Sequence, residues 1–437
     1  MRIAVVGSGI SGLATAWLLS REHAVTLFEA QDYLGGHTHT HDVEVGGERL
    51  AVDTGFIVFN TQHYPLLTRL FAELGVRSQS TTMSFSVHNE ASGLEYNATS
   101  IDGLFCQRRN LAAPRFWGML RDLVRFYRQA PHLLAEPAPG PSLREYLERH
   151  GYGAAFRNDH LVPMAAALWS SPAEEILSFP AQYLVRFMAN HQMLQLTGRP
   201  PWRVVCGGSS SYVRALRARW QVEERLGCAV HSVRRDATGV QIQSAAGAEH
   251  FDQVVLAGHS DQSLAVLSDA SVQEREVLGA IPYQVNETVL HTDTALLPVN
   301  RKAWAAWNAF IPRNAGQSCT VSYCMNLLQG VRSCEPLIVT LNRTQAIDPA
   351  KVLRRLTYQH PLYTPAAVYA QSRRREIQGQ RRTWFAGAYW GWGFHEDGLA
   401  SAVDVCRALG VNWAPGKIHA AGQHAHTPAG ADIGFAT

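Results

Sequence analysis

The chain has 437 residues, 46% of them hydrophobic and 17% charged, enough apolar material for two or three domains with large buried cores. A formal net charge of +3 gives no reason to expect nucleic acid as a partner, and no apolar run is long enough to span a bilayer. Seven scattered cysteines without a C-x-x-C pair argue against a zinc ribbon or a disulfide framework; a cytoplasmic location is expected, with no room for a signal peptide before the first strand.

Arg2–Val6 is a short, β-branched apolar run, as expected of a strand buried in a parallel sheet. Gly7-Ser8-Gly9-Ile10-Ser11-Gly12 follows, and Leu13, Ala16, Trp17, Leu18 and Leu19 then recur at helical spacing. Ala24–Phe28 is a second apolar run, ending in Glu29 and Ala30. Each part has a mechanical purpose in a strand–turn–helix unit that holds a dinucleotide. Gly7 permits the tight turn, Gly9 lets the backbone approach a pyrophosphate, and Gly12 lets the helix pack closely on the strand. Ser8, Ile10 and Ser11 lie where the helix N-terminus presents its N–H groups to phosphate. Glu29, about 20 residues on, is placed to accept hydrogen bonds from ribose hydroxyls and would repel a 2′-phosphate, which disfavours NADP.

Gly35-Gly36-His37-Thr38-His39-Thr40-His41-Asp42 raises the question of a metal. In an extended chain His37, His39 and His41 could share one face with Asp42 close behind, and imidazole with carboxylate suits zinc or iron. The preceding residues argue for a cofactor loop instead, and no metal is expected. The double glycine allows close backbone approach, and Thr38 can hydrogen-bond a phosphate. The stretch from Glu29 through Gly35-Gly36 resembles the flavin-containing amine oxidase, protoporphyrinogen oxidase and phytoene desaturase superfamily. There the ribose-binding acid is followed by a double glycine, usually then Arg, before a strand. The resemblance implies FAD, with Gly35–Thr38 wrapping its pyrophosphate. His37 stands where Arg is usual and is the weaker cation, being mostly neutral at about pH 7. Asp53-Thr54-Gly55-Phe56 matches a D-x-G motif that the resemblance places near the flavin ring, implying contacts from Thr54, Gly55 and Phe56. With Tyr64-Pro65 and Leu70-Phe71 after it, this run is similar to a narrower group of bacterial NAD/FAD-binding flavoproteins. It is also similar to the region preceding the methyltransferase part of plant cyclopropane fatty acid synthases. The similarity extends to about Leu409.

Residues 115–134 show helical periodicity, with Phe116, Leu120, Leu123, Val124 and Tyr127 on one face and Arg121, Asp122, Arg125 and Arg128 mostly elsewhere. With Arg108, Arg109 and Arg115 upstream, 108–134 reads either as a basic amphipathic helix lying on anionic lipid or as an ordinary helix covering a core. Ser142 reads as an N-cap with Glu145 completing a capping box. Helices fill 142–195, with breaks expected near Pro163, Pro172 and Pro180. Trp202–Val205 leads through Gly207-Gly208 into a helix over Tyr212–Arg219, followed by short strands at Ala229–Val233, Gly239–Gln243 and Gln253–Ala257. The resemblance implies an adenine contact through the backbone of Val233 and a strand beneath the FAD ending at Ala257. It also includes a lysine that positions water in amine oxidases; Lys302, after a turn at Pro298, is not assigned that role.

Trp384-Phe385-Ala386-Gly387-Ala388-Tyr389-Trp390-Gly391-Trp392-Gly393-Phe394-His395-Glu396-Asp397-Gly398-Leu399 resembles the family's closing segment. There a strand ends in glycine, here Gly387. A loop then passes the flavin, and a helix opening on an acidic–Gly pair points its N-terminus at the ring, where its dipole stabilises the reduced flavin. This implies FAD contacts from Asp397, Gly398 and Leu399. His395 falls at the position of an aromatic in the amine oxidase cage, which weakens amine oxidation and makes His395 a candidate acid/base. Tyr389, Trp390 and Trp392 are candidates to line the substrate pocket.

The expected fold is α/β: a Rossmann-type FAD-binding domain of the glutathione-reductase and amine oxidase type, with an inserted α+β substrate domain. Residues 1–75, 196–262 and 381–412 are assigned to the first, 76–195 and 263–380 to the second, and 413–437 to a poorly ordered tail. The expected reaction is hydride transfer from a lipid or fatty acyl chain to flavin. Amine oxidation, redox-neutral double-bond isomerisation and a non-catalytic role as flavin-binding partner of a lipid methyltransferase are the alternatives.

Overall fold

In the computed structural model, residues 1–413 are described, apart from 138–139, 170–171, 196–197, 199 and 315–317. Five parallel strands form the first sheet in the order Val222–Arg225, Ala24–Phe28, Arg2–Val6, Gln253–Leu256 and Thr383–Phe385. Both faces are covered, which is why the central strand has no polar alternation. Ile3 and Val5 enter one layer with Leu13, Leu67, Leu216 and Leu399, from the helices Ile10–Leu19, Pro65–Leu74, Ser210–Arg217 and His395–Ala408. Ala4 enters the other layer with Val233, Ile242 and Val277, from a three-stranded meander and the helix Val272–Gly279.

Among the strands that escaped the sequence reading, two lie at sheet edges of the cofactor-type fold. Val222–Arg225 is the edge of the parallel sheet and Gly247–Phe251 the edge of the meander. Their sequences, VEER and GAEHF, carry the charges that edge strands tolerate and buried strands do not.

A seven-stranded sheet joins two distant parts of the chain. Phe85–Asn89 and Leu94–Asn97 add to one side of the strands drawn from 283–361. Phe85–Asn89 runs parallel to Trp307–Ile311, and the other pairings are antiparallel. Helices from 114–190 cover one face, with Val87 and Ala309 meeting Phe116, Phe126 and Phe156.

Ser142 and Glu145 form the capping box, and helices stop before Pro172 and Pro180. Pro163 causes no break. A π-helical turn over Arg157–Leu161 runs into the helix Val162–Trp169, and this wider turn accommodates the N–H that proline lacks. In the helix Pro114–Gln129, Phe116, Met119 and Phe126 are buried, but so is Asp122, contrary to its expected outward place. Its carboxylate accepts from Gly153 N at 2.8 Å and lies 3.4 Å from Arg125, so a second element draws it inward. Trp413 is likewise no part of a tail. It is buried edge-on to Trp17 at 5.9 Å and donates from Nε1 to Glu73 at 2.8 Å. The remainder of the expected tail, 414–437, lies outside the described residues. Among the described residues no helix is long and apolar enough to cross a membrane.

One ion pair stands out for its burial. Arg235, on the meander, meets Asp269 at 2.7 Å and Glu274 at 2.8 Å, with the Arg235 and Glu274 side chains only 1% and 2% exposed. Removing the cation would strand a buried carboxylate. Arg235→Leu is therefore expected to lower unfolding stability by about 3–5 kcal/mol in urea titrations; a loss under roughly 1 kcal/mol would show that the pair contributes little.

Candidate functional site

The first strand and first helix build the glycine turn as anticipated. Gly7 has φ +99°, a backbone state that disfavours any side chain, and its N–H donates to Phe28 O at 2.8 Å. A Cβ on Gly12 would fall 1.8 Å from Gly7 O, so only glycine lets this helix sit so close to the strand. Gly9 differs: a Cβ there would meet nothing within 4 Å. The helix Ile10–Leu19 starts at Gly9 with no side-chain cap, which leaves its N-terminal dipole facing that open side.

Three segments surround the opening. Gly36 packs against Gly9, its hypothetical Cβ 3.1 Å from Gly9 Cα. Ala257 and Gly258 close on Gly7 at 3.0 Å from its hypothetical Cβ. Glu29, at the end of the second strand, accepts from Ser8 N at 2.8 Å and Ser8 Oγ at 2.6 Å, and from Gln31 N at 2.8 Å. Ala30 beside it is exposed. The chain then returns: Gly35 N donates to Ser8 O at 3.1 Å, and Thr38 N to Gly35 O at 2.9 Å.

Beyond this turn, histidines and tyrosines gather. The His37 ring lies 5.0 Å from Tyr358, 5.2 Å from His360 and 6.2 Å from His259. Its Nε2 is buried without a hydrogen-bond partner. Burial, and next the neighbouring histidines, hold His37 well below the ordinary imidazole range; burial lowers His360 to about 4. His39 and His41 lie with ring centroids 3.9 Å apart, His39 also stacking on Tyr33. Among the described residues no group of three or more metal-ligating side chains could hold an ion.

Several residues implied as FAD contacts hold partners within the protein. Thr38 points its hydroxyl to Tyr212 and to His395 Nε2, the latter at 3.0 Å, and not toward the glycine turn. Gly55 is pressed against its own chain, since a Cβ would lie 2.1 Å from His37 O, while Thr54 Oγ1 bonds Tyr358 at 2.7 Å. The carbonyl of Val233 accepts from Ser268 N and Oγ, at 3.1 and 3.2 Å. Val230, half-buried at a bulge in the same strand, lies closer to the Cys228 N–Glu29 O bond. Gly398 faces the first helix: a Cβ would meet Ile10 at 2.7 Å, and Gly398 O accepts from Ser11 Oγ at 3.0 Å. Leu399 is fully buried in that helical layer. Gly387 donates its N–H to Ser401 Oγ at 2.9 Å.

The three candidate pocket aromatics separate. Tyr389 and Trp390 pack together at 4.7 Å in the layer with Phe28 and Phe385. Trp392 joins Phe187 and Tyr183 on the helical side. There Phe394, which sequence reasoning missed, stacks on Phe187 at 5.2 Å, and His191 lies 4.1 Å from Phe187. His395 itself stacks on Phe56 at 3.7 Å, and burial lowers it to about 3.

Three carboxylates act as latches: Asp53 and Glu396, which were not candidates, and Asp397, which the resemblance placed beside FAD. Asp53, fully buried and raised to about 6 by burial, accepts from Ser209 N and Oγ at the start of the helix Ser210–Arg217. Glu396 accepts from Leu66 N and Leu67 N, at 2.8 and 3.0 Å, capping the helix Pro65–Leu74. Asp397 accepts from Trp392 N and Phe394 N, at 3.1 and 2.9 Å, and burial raises it to about 6. The signals were present, an acid in D-x-G opposite a Gly-Gly-Ser turn and adjacent acids opening a helix, but pairing them needs the tertiary fold.

Residues 10–301 match the family described as flavin containing amine oxidoreductase, and the chain belongs to that family. Similar solved structures include a CLA-producing fatty acid isomerase from P. acnes, at 16% identity and TM-score 0.65 over 93% of this chain and 98% of that one. They also include cyclohexylamine oxidase from Brevibacterium oxydans, at 15% and 0.65 over 94% and 99%. A third is a reduced UDP-galactopyranose mutase, at 14% and 0.67 over 94% and 96%. No curated protein sequence matches. The chain is an FAD-dependent oxidoreductase. Its residues fit the cofactor: Gly9 offers an open face at an uncapped helix start, Glu29 borders it, and the buried Nε2 of His37 lacks a partner.

Burial, with Asp397 beside it, raises Glu396 from 4.5 to about 7. A carboxyl whose pKa rises on folding binds its proton more tightly in the folded chain. Its contribution is therefore full below pH 4.5 and is lost as pH climbs to about 7, a change on the order of 3 kcal/mol. Glu396→Gln is expected to remove this slope, so its stability relative to wild type rises across that window; parallel urea midpoints from acid to neutral pH would contradict the assignment.

Proposed function

We propose that this flavoenzyme dehydrogenates an aliphatic chain, a lipid or fatty acyl group, with segments 1–75, 196–262 and 381–412 holding FAD and 76–195 and 263–380 holding the substrate. The observation that carries this reading is the wall beside His395. Phe394, Phe187, His191 and Trp392 pack ring against ring, and burial lowers His191 to about 4. The adjacent acids Glu396 and Asp397 are engaged by backbone N–H groups. Such a wall suits methylene groups and offers no uncommitted carboxylate to an ammonium ion.

Bound FAD supplies the acceptor for a hydride. The chain's own residues supply position and dryness. The turn at Gly9 and the first helix receive the phosphates, and Glu29 the ribose. His395 is too weakly basic to remove a proton efficiently at neutral pH. We assign it to fix Thr38 and Tyr212, 3.0 and 3.4 Å from its Nε2. We further propose a lipid methyltransferase as partner, a reading that rests only on the resemblance noted in the sequence around Asp53–Phe71. A second reading, redox-neutral double-bond isomerisation, draws support from the same dry, uncharged wall.

Anaerobic mixing of the FAD-loaded protein with extracted phospholipids is expected to bleach the flavin absorbance, while primary amines leave it unchanged. A product of unchanged mass with the flavin still oxidised would favour isomerisation; bleaching by amines with aldehyde formation would overturn the lipid reading.

A further inference from the structure

The charge of the chain is unevenly placed. Residues 101–128 carry six arginines, at 108, 109, 115, 121, 125 and 128, against Asp102 and Asp122, a net +4. The whole chain is +3, so everything outside this segment sums to −1. The structure sorts these charges by depth. The Asp122 and Asp159 side chains are 3% and 2% exposed, whereas those of Arg108, Arg115 and Arg121 are 61%, 59% and 78% exposed. The exposed Asp102 is shared by Arg108 and Lys302. Two clefts open on this surface. One of about 310 Å³ includes Arg109 and Arg115; the other, of about 380 Å³, is lined by Arg121, Val124, Arg125, Arg128 and Gln129.

Large apolar side chains stand exposed in the same place. Ile101, Leu111 and Trp117 are 81%, 52% and 49% exposed. They are neighbours: Trp117 Nε1 donates to Leu111 O at 2.9 Å, the Trp117 ring lies 5.5 Å from Phe105, and Phe105 N donates to Ile101 O at 3.0 Å. An exposed apolar cluster on the same segment as exposed guanidinium groups is the pattern that enters a headgroup layer. The indole and aliphatic chains sit at the acyl boundary while the arginines meet lipid phosphates. A nucleic acid would match the charge but leave Ile101 and Leu111 unmatched.

We propose that this face docks on an anionic phospholipid bilayer, with Ile101, Leu111 and Trp117 inserted and Arg109, Arg115, Arg121 and Arg128 held against phosphate. It stands on surface charge and exposure, so it holds whatever the substrate is.

The test is co-sedimentation of the full FAD-loaded chain with phosphatidylcholine vesicles and with phosphatidylcholine–phosphatidylglycerol vesicles, at about 0.15 M salt. The protein is expected to pellet with the anionic vesicles and remain in solution with the neutral ones. A triple variant, Ile101→Ser, Leu111→Ser and Trp117→Ser, is expected to lower the partition coefficient by about tenfold or more, and Arg121→Glu with Arg128→Glu to abolish pelleting. Unchanged flavin absorbance and circular dichroism establish that both variants are folded. Absence of wild-type pelleting with anionic vesicles, or equal pelleting by wild type and both variants, would overturn the proposal.

Discussion

The whole arrangement depends on how closely the first helix can be approached. On one side Gly12 lets its backbone rest on the carbonyl of Gly7; on another Gly398 brings the last helix against Ile10 and Ser11. Ser11 Oγ and Gly398 O then share a hydrogen bond across 387 residues of sequence. With those sides filled, the helix N-terminus opens toward Gly9. A side chain at position 12 or 398 would push apart the elements that define that opening.

The electrostatics follow from burial. Imidazoles at positions 37, 191, 360 and 395 are all shifted toward the neutral form, with burial the largest cause. The acids at 53, 396 and 397 shift toward their protonated forms, and each hydrogen-bonds the start of a helix or the loop before one. Residues 101–128, by contrast, carry a net +4, and on their outer surface arginines meet water.

The local features were legible in the sequence. The strand, the glycine turn, the first helix and Glu29 lie within about thirty residues, and Gly12 answers to Gly7 five residues before it. The capping box at Ser142 and Glu145 is local in the same way. What stayed hidden depends on distant partners. Asp53 finds Ser209, Glu396 finds Leu66 and Leu67, and His37 finds His259 and His360, with no periodicity to announce any of them. Trp390 and Trp392 look equivalent in sequence, yet they pack in different layers. Asp122 resembles a surface residue of an amphipathic helix until Gly153 reaches it. Gly55 packs on the backbone of His37, a contact that the D-x-G motif alone does not announce.

The central claim is that FAD lies across Gly9. That glycine has φ −62°, and no atom lies within 4 Å of its hypothetical Cβ, so a side chain there is compatible with the fold. The direct measurement is calorimetric titration of FAD into the apoprotein, for wild type and Gly9→Val side by side with their unfolding midpoints. The account predicts one FAD per wild-type chain, and a Gly9→Val protein that unfolds like wild type but binds FAD about a hundredfold more weakly or not at all. Equal affinity in the two proteins, or no FAD taken up by wild type, would contradict it.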